Sequence, residues 1–194
     1  MRLESRSVEE TRRIGAALAR QLRANDVLLL LGDMGAGKSE LTRGIARGLG
    51  VTGYVTSPTF TILQVYDSGR LPLYHFDWYR LNGAEELYEL AMDEYLQNGG
   101  VAVVEWPGRA QEAVPERYLQ ITLEPAGEGE RVLTLTPVGG FHDLDWGKDW
   151  FDEHPRGGYV RPGRGRGGCA RRRNCLRWGG RQPAHPFRQP YAHD

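Results

Sequence analysis

The chain has 194 residues, 26% of them charged, and equal numbers of basic and acidic residues, 25 of each. That length suits one well-buried α/β core rather than two domains. No run approaches the roughly 20 apolar residues needed to cross a bilayer, and Met1 to Ser5 lacks the apolar stretch of a signal peptide, so a cytoplasmic protein without membrane attachment is expected.

The zero net charge hides a division along the chain. Residues 154–194 carry ten arginines and one acid, whereas residues 1–153 carry 15 basic and 24 acidic residues. The two segments therefore stand near +9 and −9.

In chain order, Ser7 followed by Glu10 is a capping-box start for an amphipathic helix. Val8, Ile14, Ala17, Leu18 and Leu22 supply its apolar stripe, and Asn25-Asp26 its stop. Val27–Leu31 is an unbroken apolar run of the kind found at the centre of a parallel sheet. After a glycine-rich loop, Lys38–Leu49 reads as a helix closed by Gly50. Strands are predicted over 61–66 and 71–76, then one helix over 85–97 with Leu87, Leu90, Ala91 and Tyr95 on a common face. Val101–Val104 reads as a second buried strand ending at Glu105, and 118–123 and 131–136 as later antiparallel strands.

The expected fold class is α/β: a small sheet like that of a P-loop NTPase, with a parallel centre, antiparallel edge strands and helices on both faces. It is assigned to residues 1–140. Residues 141–194 are set apart as a C-terminal extension. Aromatic residues in 142–151 offer a last docking helix, while from about residue 155 the Gly, Pro and Arg content leaves too little apolar surface to offset the entropy of ordering, so disorder is expected. Cys169 and Cys175, the only cysteines, match neither a disulfide framework nor a four-ligand zinc site.

Gly32-Asp33-Met34-Gly35-Ala36-Gly37-Lys38-Ser39 fits G-x-x-x-x-G-K-[ST] between a buried strand and a helix, the context this phosphate-binding pattern needs. Glycines let backbone N–H groups wrap an anion, and the helix N-terminus adds its positive dipole end. Lys38 is expected on the β/γ-phosphates and Ser39 on Mg²⁺. Gly35, Ala36, Gly37, Lys38, Ser39 and Glu40 are the expected ATP contacts. The chain uses 23 arginines and only two lysines, so a lysine at 38 points to chemistry that a compact ammonium serves better than a guanidinium fork.

Asp77 and Glu105 each end an apolar strand and stand as Mg²⁺ ligands, with Ser39, and as catalytic residues beside Lys38. The plainer alternative for each acid is a solvated strand end. His75 reads as a packed or hydrogen-bonded strand residue rather than a base. Thr56-Ser57-Pro58-Thr59-Phe60 occupies the place of a γ-phosphate sensor, with Ser57 and Thr59 as its switch hydroxyls. None of the four asparagines precedes a lysine, so no Asn-Lys-x-Asp guanine-reading motif exists and ATP is favoured over GTP.

Together the phosphate loop, Ser57-Pro58-Thr59-Phe60, Tyr74-His75-Phe76-Asp77-Trp78-Tyr79-Arg80-Leu81 and Val104-Glu105-Trp106-Pro107 resemble the TsaE family over about residues 3–138. That family is the small ATPase subunit of the bacterial machinery that makes N6-threonylcarbamoyladenosine beside the tRNA anticodon. The resemblance implies that Asp77 and Glu105 act at a Mg²⁺–ATP site, that 57–60 is a switch, and that Trp106 lies near the nucleotide. It also implies action on a complex of two sugar-kinase-like partner subunits, with tRNA involved indirectly.

Two features depart from the family pattern: Glu40, where a small hydroxyl residue is common, and the basic extension. The rival enzyme reading is a P-loop kinase of a small acceptor, with Arg80 and Arg109 as lid arginines. For the extension, sequence-independent contact with nucleic acid stands against a bland appendage, including an out-of-frame stretch from a GC-rich gene.

Overall fold

The computed structural model describes residues 1–89 and 91–146. In chain order the elements are β1 (Arg2–Ser5), α1 (Val8–Ala19), β2 (Val27–Leu31), α2 (Lys38–Leu49), β3 (Leu63–Tyr66), β4 (Leu73–Asp77), α3 (Glu85–Glu89), α4 (Met92–Gln97), β5 (Val101–Glu105), two short 3₁₀ turns, β6 (Tyr118–Gly127) and β7 (Glu130–Val138). The extension from residue 147 on, with Lys148, Cys169 and Cys175, lies outside the described residues, so the expected disorder and the absence of a zinc site fall there too.

The seven strands form one sheet in the order β1-β7-β6-β2-β5-β4-β3. β2 runs parallel to both β5 and β6, and β4 parallel to β5. Antiparallel pairs close both edges, β3 on β4 at one and β1–β7–β6 at the other. The expected parallel centre with antiparallel edges is present. β6 differs from its expected role: it is antiparallel only to β7 and belongs to the parallel centre on its β2 side. β1 is an additional strand, whose four residues carry no clear alternation to signal it.

Alternation along β2 sends Leu28 and Leu30 to one face and Val27 and Leu29 to the other. The first face packs under α1 and α2, with Ile14, Leu18, Leu41 and Ile45; the second gathers Phe76, Trp78, Leu87 and Met92. This two-sided burial is why β2 reads as an unbroken apolar run.

α1 starts as its sequence implies: Ser7 Oγ accepts from the Glu10 N–H at 3.1 Å, and the Glu10 carboxylate reaches back to the Arg6 N–H at 2.8 Å. It ends at Ala19, earlier than Asn25-Asp26. Asp26 instead sits fully buried at the head of β2, bonded to the Arg23 N–H, to Arg117 and to His142. Those bonds tie down the segment that carries Phe141 and Trp146 into the first core, with no helix over 142–146.

The single helix expected over 85–97 is two helices, broken at Ala91 with φ 49°. Leu87 and Met92 are both buried, yet five residues apart on a continuous helix they would point about 140° away from each other. The left-handed residue lets both reach the core. Ala91 itself is exposed, and Leu90 lies outside the described residues.

Candidate functional site

The site is built at the C-terminal edge of the parallel strands. β2 ends at Leu31 and the chain enters the loop 32–37, in which Gly32, Gly35 and Gly37 take φ values of 142°, 80° and 103°. These favour glycine. A Cβ on Gly32 would lie 2.4 Å from the Leu123 carbonyl oxygen, while one on Gly35 would meet nothing within 4 Å. The loop is therefore pressed against the sheet at one end and open at the other. α2 follows at Lys38, with Gly37 as its N-cap and no side-chain cap, which leaves its first N–H groups without a side-chain acceptor.

Across from the loop stand the two acids. Asp77 and Glu105 are direct partners in the parallel pair β4–β5 and share the sheet face covered by α2. Both are buried, at 3% exposure each. The Ser39 hydroxyl donates to Glu105 at 3.1 Å, and His75 Nε2 lies 2.9 Å from the same carboxylate. Thr59 Oγ1 donates to Asp77 at 2.7 Å, and the Tyr79 N–H donates to its other oxygen at 3.0 Å. Ser57 and Thr59 are hydrogen-bonded to each other at 2.9 Å, so the segment 57–60 is attached to Asp77 through Thr59.

Lys38 is a buried cation with no carboxylate at bonding distance among the described residues. Its ammonium donates to the carbonyls of Gly32 and Asp33 at 2.6 and 2.8 Å and sits 4.1 Å above the Trp106 ring. Burial pushes its pKa below the ordinary lysine value of 10.5, against the opposing pull of Glu105, Asp77 and Asp33. A cation held this way is favourable for an incoming anion, which would repay the desolvation. Trp106 has φ 60° at the end of β5 and packs against Tyr79 with ring centroids 5.1 Å apart.

Lys38, Ser39, Ser57, Thr59, Asp77, Tyr79, Glu105 and Trp106 line a cleft of about 480 Å³, bounded also by Met34, Gly35, Gly37, Glu40 and Arg43. The expected site residues on the loop, the two acids, Ser57, Thr59 and Trp106 thus converge, except that Ala36 is buried beneath the loop rather than lining the cleft. The Glu40 carboxylate is taken up by Arg12, at 2.7 Å, and by Arg43. The negative charge that Glu40 brings to the first turn of α2 is thereby offset. Of the candidate lid arginines, Arg80 lies over the ring of exposed Phe60 and Arg109 over that of Tyr79.

Arg43 and Tyr79 join the site without a sequence signal strong enough to single them out. Arg43 donates to the Val55 carbonyl at 3.0 Å and so links α2 to the loop before the 57–60 segment. The spacing Glu40–Arg43 is its only local signal. Tyr79 falls inside the 74–81 motif, but its tilted ring contact with Trp106 depends on β4 and β5 ending side by side.

Comparison with known proteins decides the family. The family model described as threonylcarbamoyl adenosine biosynthesis protein TsaE matches residues 5–133. The chain belongs to the TsaE family. The tRNA threonylcarbamoyladenosine biosynthesis protein TsaE of Bacillus subtilis is 46% identical over 136 residues, covering 70% of this chain and 85% of that one. Its namesake from Treponema pallidum is 41% identical over 135 residues, covering 70% and 99%. The crystal structure of Bacillus subtilis YdiB superimposes with a TM-score of 0.64 at 41% identity, covering 72% of this chain and 86% of that one. The TsaE match ends before the basic extension.

Proposed function

We propose that this TsaE-family chain binds and hydrolyses Mg²⁺–ATP in the cleft, and that it does so as a subunit in threonylcarbamoyladenosine modification of tRNA, acting on a complex of sugar-kinase-like partner subunits. The observation that carries the reading is the facing of Lys38 and Ser39 by the cross-strand pair Asp77 and Glu105 within one cleft. The names of the relatives supply the pathway.

The donor set fits the proposed cofactor. Two carboxylates and one hydroxyl are hard oxygen ligands, and Mg²⁺ takes few protein ligands because phosphates and water complete its shell. Gly35 leaves open space where a side chain would stand, next to uncapped helix N–H groups suited to phosphate oxygens. Ser39, Asp77 and Glu105 would hold Mg²⁺, which would supply positive charge to offset the negative charge that develops during transfer.

The chain's own residues do the rest. The loop amides and Lys38 grip the phosphates, and Lys38 exchanges the Gly32 and Asp33 carbonyls for phosphate oxygens. Ser39, Asp77 and Glu105 hold the metal side, with a carboxylate available to orient the attacking water. Thr59 ties the state of the 57–60 segment to Asp77, which gives partner subunits a handle on the site. No helix among the described residues is long and apolar enough to cross a membrane, and action in the cytoplasm is part of the proposal.

The test is Lys38→Ala in the full-length chain. ATP binding and hydrolysis should be lost with the melting temperature preserved, since Lys38 contacts loop carbonyls and a ring rather than core. Unchanged turnover would sink the assignment. Stoichiometric phosphorylation of a metabolite by the wild type, read by mass spectrometry, would instead identify the chain as a small-molecule kinase.

A further inference from the structure

We propose that His75 is a positioning residue for the cleft: from the core side its Nε2–H fixes the carboxylate of Glu105, and keeps it aimed when the Ser39 hydroxyl leaves it for a ligand. The proposal rests on the reading of the cleft as a Mg²⁺–ATP site.

His75 occupies the middle of β4, between Val103 of β5 and Gln64 of β3, and is 1% exposed. An interior strand position of this kind is filled most economically by an aliphatic side chain. The ring makes one hydrogen bond, to Glu105 at 2.9 Å, and its Nδ1 is buried without a partner among the described residues. An orphaned buried polar atom is destabilising, so the ring is a poor structural filler unless its single bond matters. A carboxylate only accepts, so Nε2 is the donor in this bond.

The two strand-end acids are held in different ways. Asp77 is bonded to Thr59, on the segment 57–60, and to the Tyr79 N–H. Glu105 is bonded to Ser39, at the cleft, and to His75 within the sheet. Both bonds fall on the same oxygen, Glu105 Oε1, but the Ser39 hydroxyl lines the cleft and cannot serve both Glu105 and a metal in the same way, whereas the His75 ring is buried and is not among the residues that line the cleft. Glu105 is the acid whose aim is set by the sheet, and Asp77 the acid whose aim follows the segment.

Two variants separate this role from packing. The amide nitrogen of glutamine falls near the place of His Nε2, while that of asparagine falls near Nδ1 and does not reach Glu105. Full-length His75→Gln and His75→Asn are compared with wild type and Lys38→Ala in single-turnover hydrolysis at saturating Mg²⁺ and ATP, in calorimetric ATP affinity with Mg²⁺ chelated, and in thermal melting. His75→Asn is expected to hydrolyse about ten- to a hundredfold more slowly, the usual loss for a residue that orients a metal ligand. Its metal-free ATP affinity should stay within about twofold, because loop and Lys38 are untouched, and His75→Gln should recover most of the rate.

Near-wild-type hydrolysis by His75→Asn, or equal losses in both variants that track their melting temperatures or failure to fold, overturns the proposal and leaves His75 a packing residue. An active Lys38→Ala overturns the reading of the cleft itself, while an inactive Lys38→Ala beside an active His75→Asn removes only this inference.

Discussion

Replacing Gly44 with alanine should destabilise the protein even though it improves a helix. Gly44 lies in the interior of α2, where alanine is favoured by about 1 kcal/mol. Its added Cβ would stand 2.2 Å from the Arg12 carbonyl oxygen, 2.7 Å from Arg12 Cα and 2.8 Å from Arg12 C. All three atoms are backbone of α1, so no rotamer change relieves the overlap and the helices must separate by about 1 Å. Gly15 and Gly48 are nearly as tight, at 2.5 Å from the carbonyl oxygens of Leu41 and Ala16, so the crossing cannot tilt away cheaply. Overpacking of this kind costs about 1–3 kcal/mol, and the rigid contact puts it at the upper end. Less the propensity gain, the net loss is about 2 kcal/mol, or about 4–8 °C in Tm for a protein of this size. The measurement is a thermal or urea melt, with Gly50→Ala as the control. Gly50 has φ 81° and no neighbour within 4 Å, so its substitution costs only the backbone strain of about 1 kcal/mol. A Gly44→Ala protein as stable as wild type would refute the claim that α1 and α2 touch backbone to backbone.

Asp77→Ala and Glu105→Ala should each reduce hydrolysis by more than about tenfold while ATP affinity falls by much less, because the loop amides and Lys38 supply most of the ground-state grip; normal hydrolysis in either variant would make that acid a mere strand end. Lys38 gives a pH signature with a definite sign. Burial lowers its folded pKa, so the penalty on its charge is fully present at neutral pH and is relieved as pH rises through the lowered pKa toward 10.5. Over that window ATP binding should take up a proton and weaken, seen by calorimetry in buffers of different ionisation enthalpy, and proton-neutral binding throughout would contradict it. Deleting residues 155–194 removes about nine net positive charges and no nucleotide motif. ATP hydrolysis and melting should hold while any salt-sensitive affinity for tRNA falls; a loss of hydrolysis would make the extension a working part.

Local chemistry is legible in the residues. Gly32–Ser39 between an apolar run and a helix needs no tertiary information, because its spacing and turn requirements are contained within one strand–loop–helix unit. The same holds for the Ser7 cap, the Gly50 stop, and β2 as a central strand, since burial on both faces writes itself as a continuous apolar run. Asp77 and Glu105 can be named as strand ends. That they are direct partners on the α2 face depends on strand order, which pairs residues 28 positions apart and leaves no local trace.

The tertiary structure alone decides the rest. Gly15, Gly44 and Gly48 read as flaws in two helices until α1 and α2 are seen crossing with backbones in contact. The break at Ala91 runs against helix propensity, because seating both Leu87 and Met92 in one core outweighs a few residues of continuous helix. Glu40 looks like a charge opposed to phosphate until Arg12, 28 positions earlier, and Arg43 are found on its carboxylate. His75 looks like an ordinary strand histidine, and only the adjacency of β4 and β5 brings its ring to Glu105. In each case the deciding partner is distant along the chain, and sequence periodicity records which side of an element is buried, not what is buried against it.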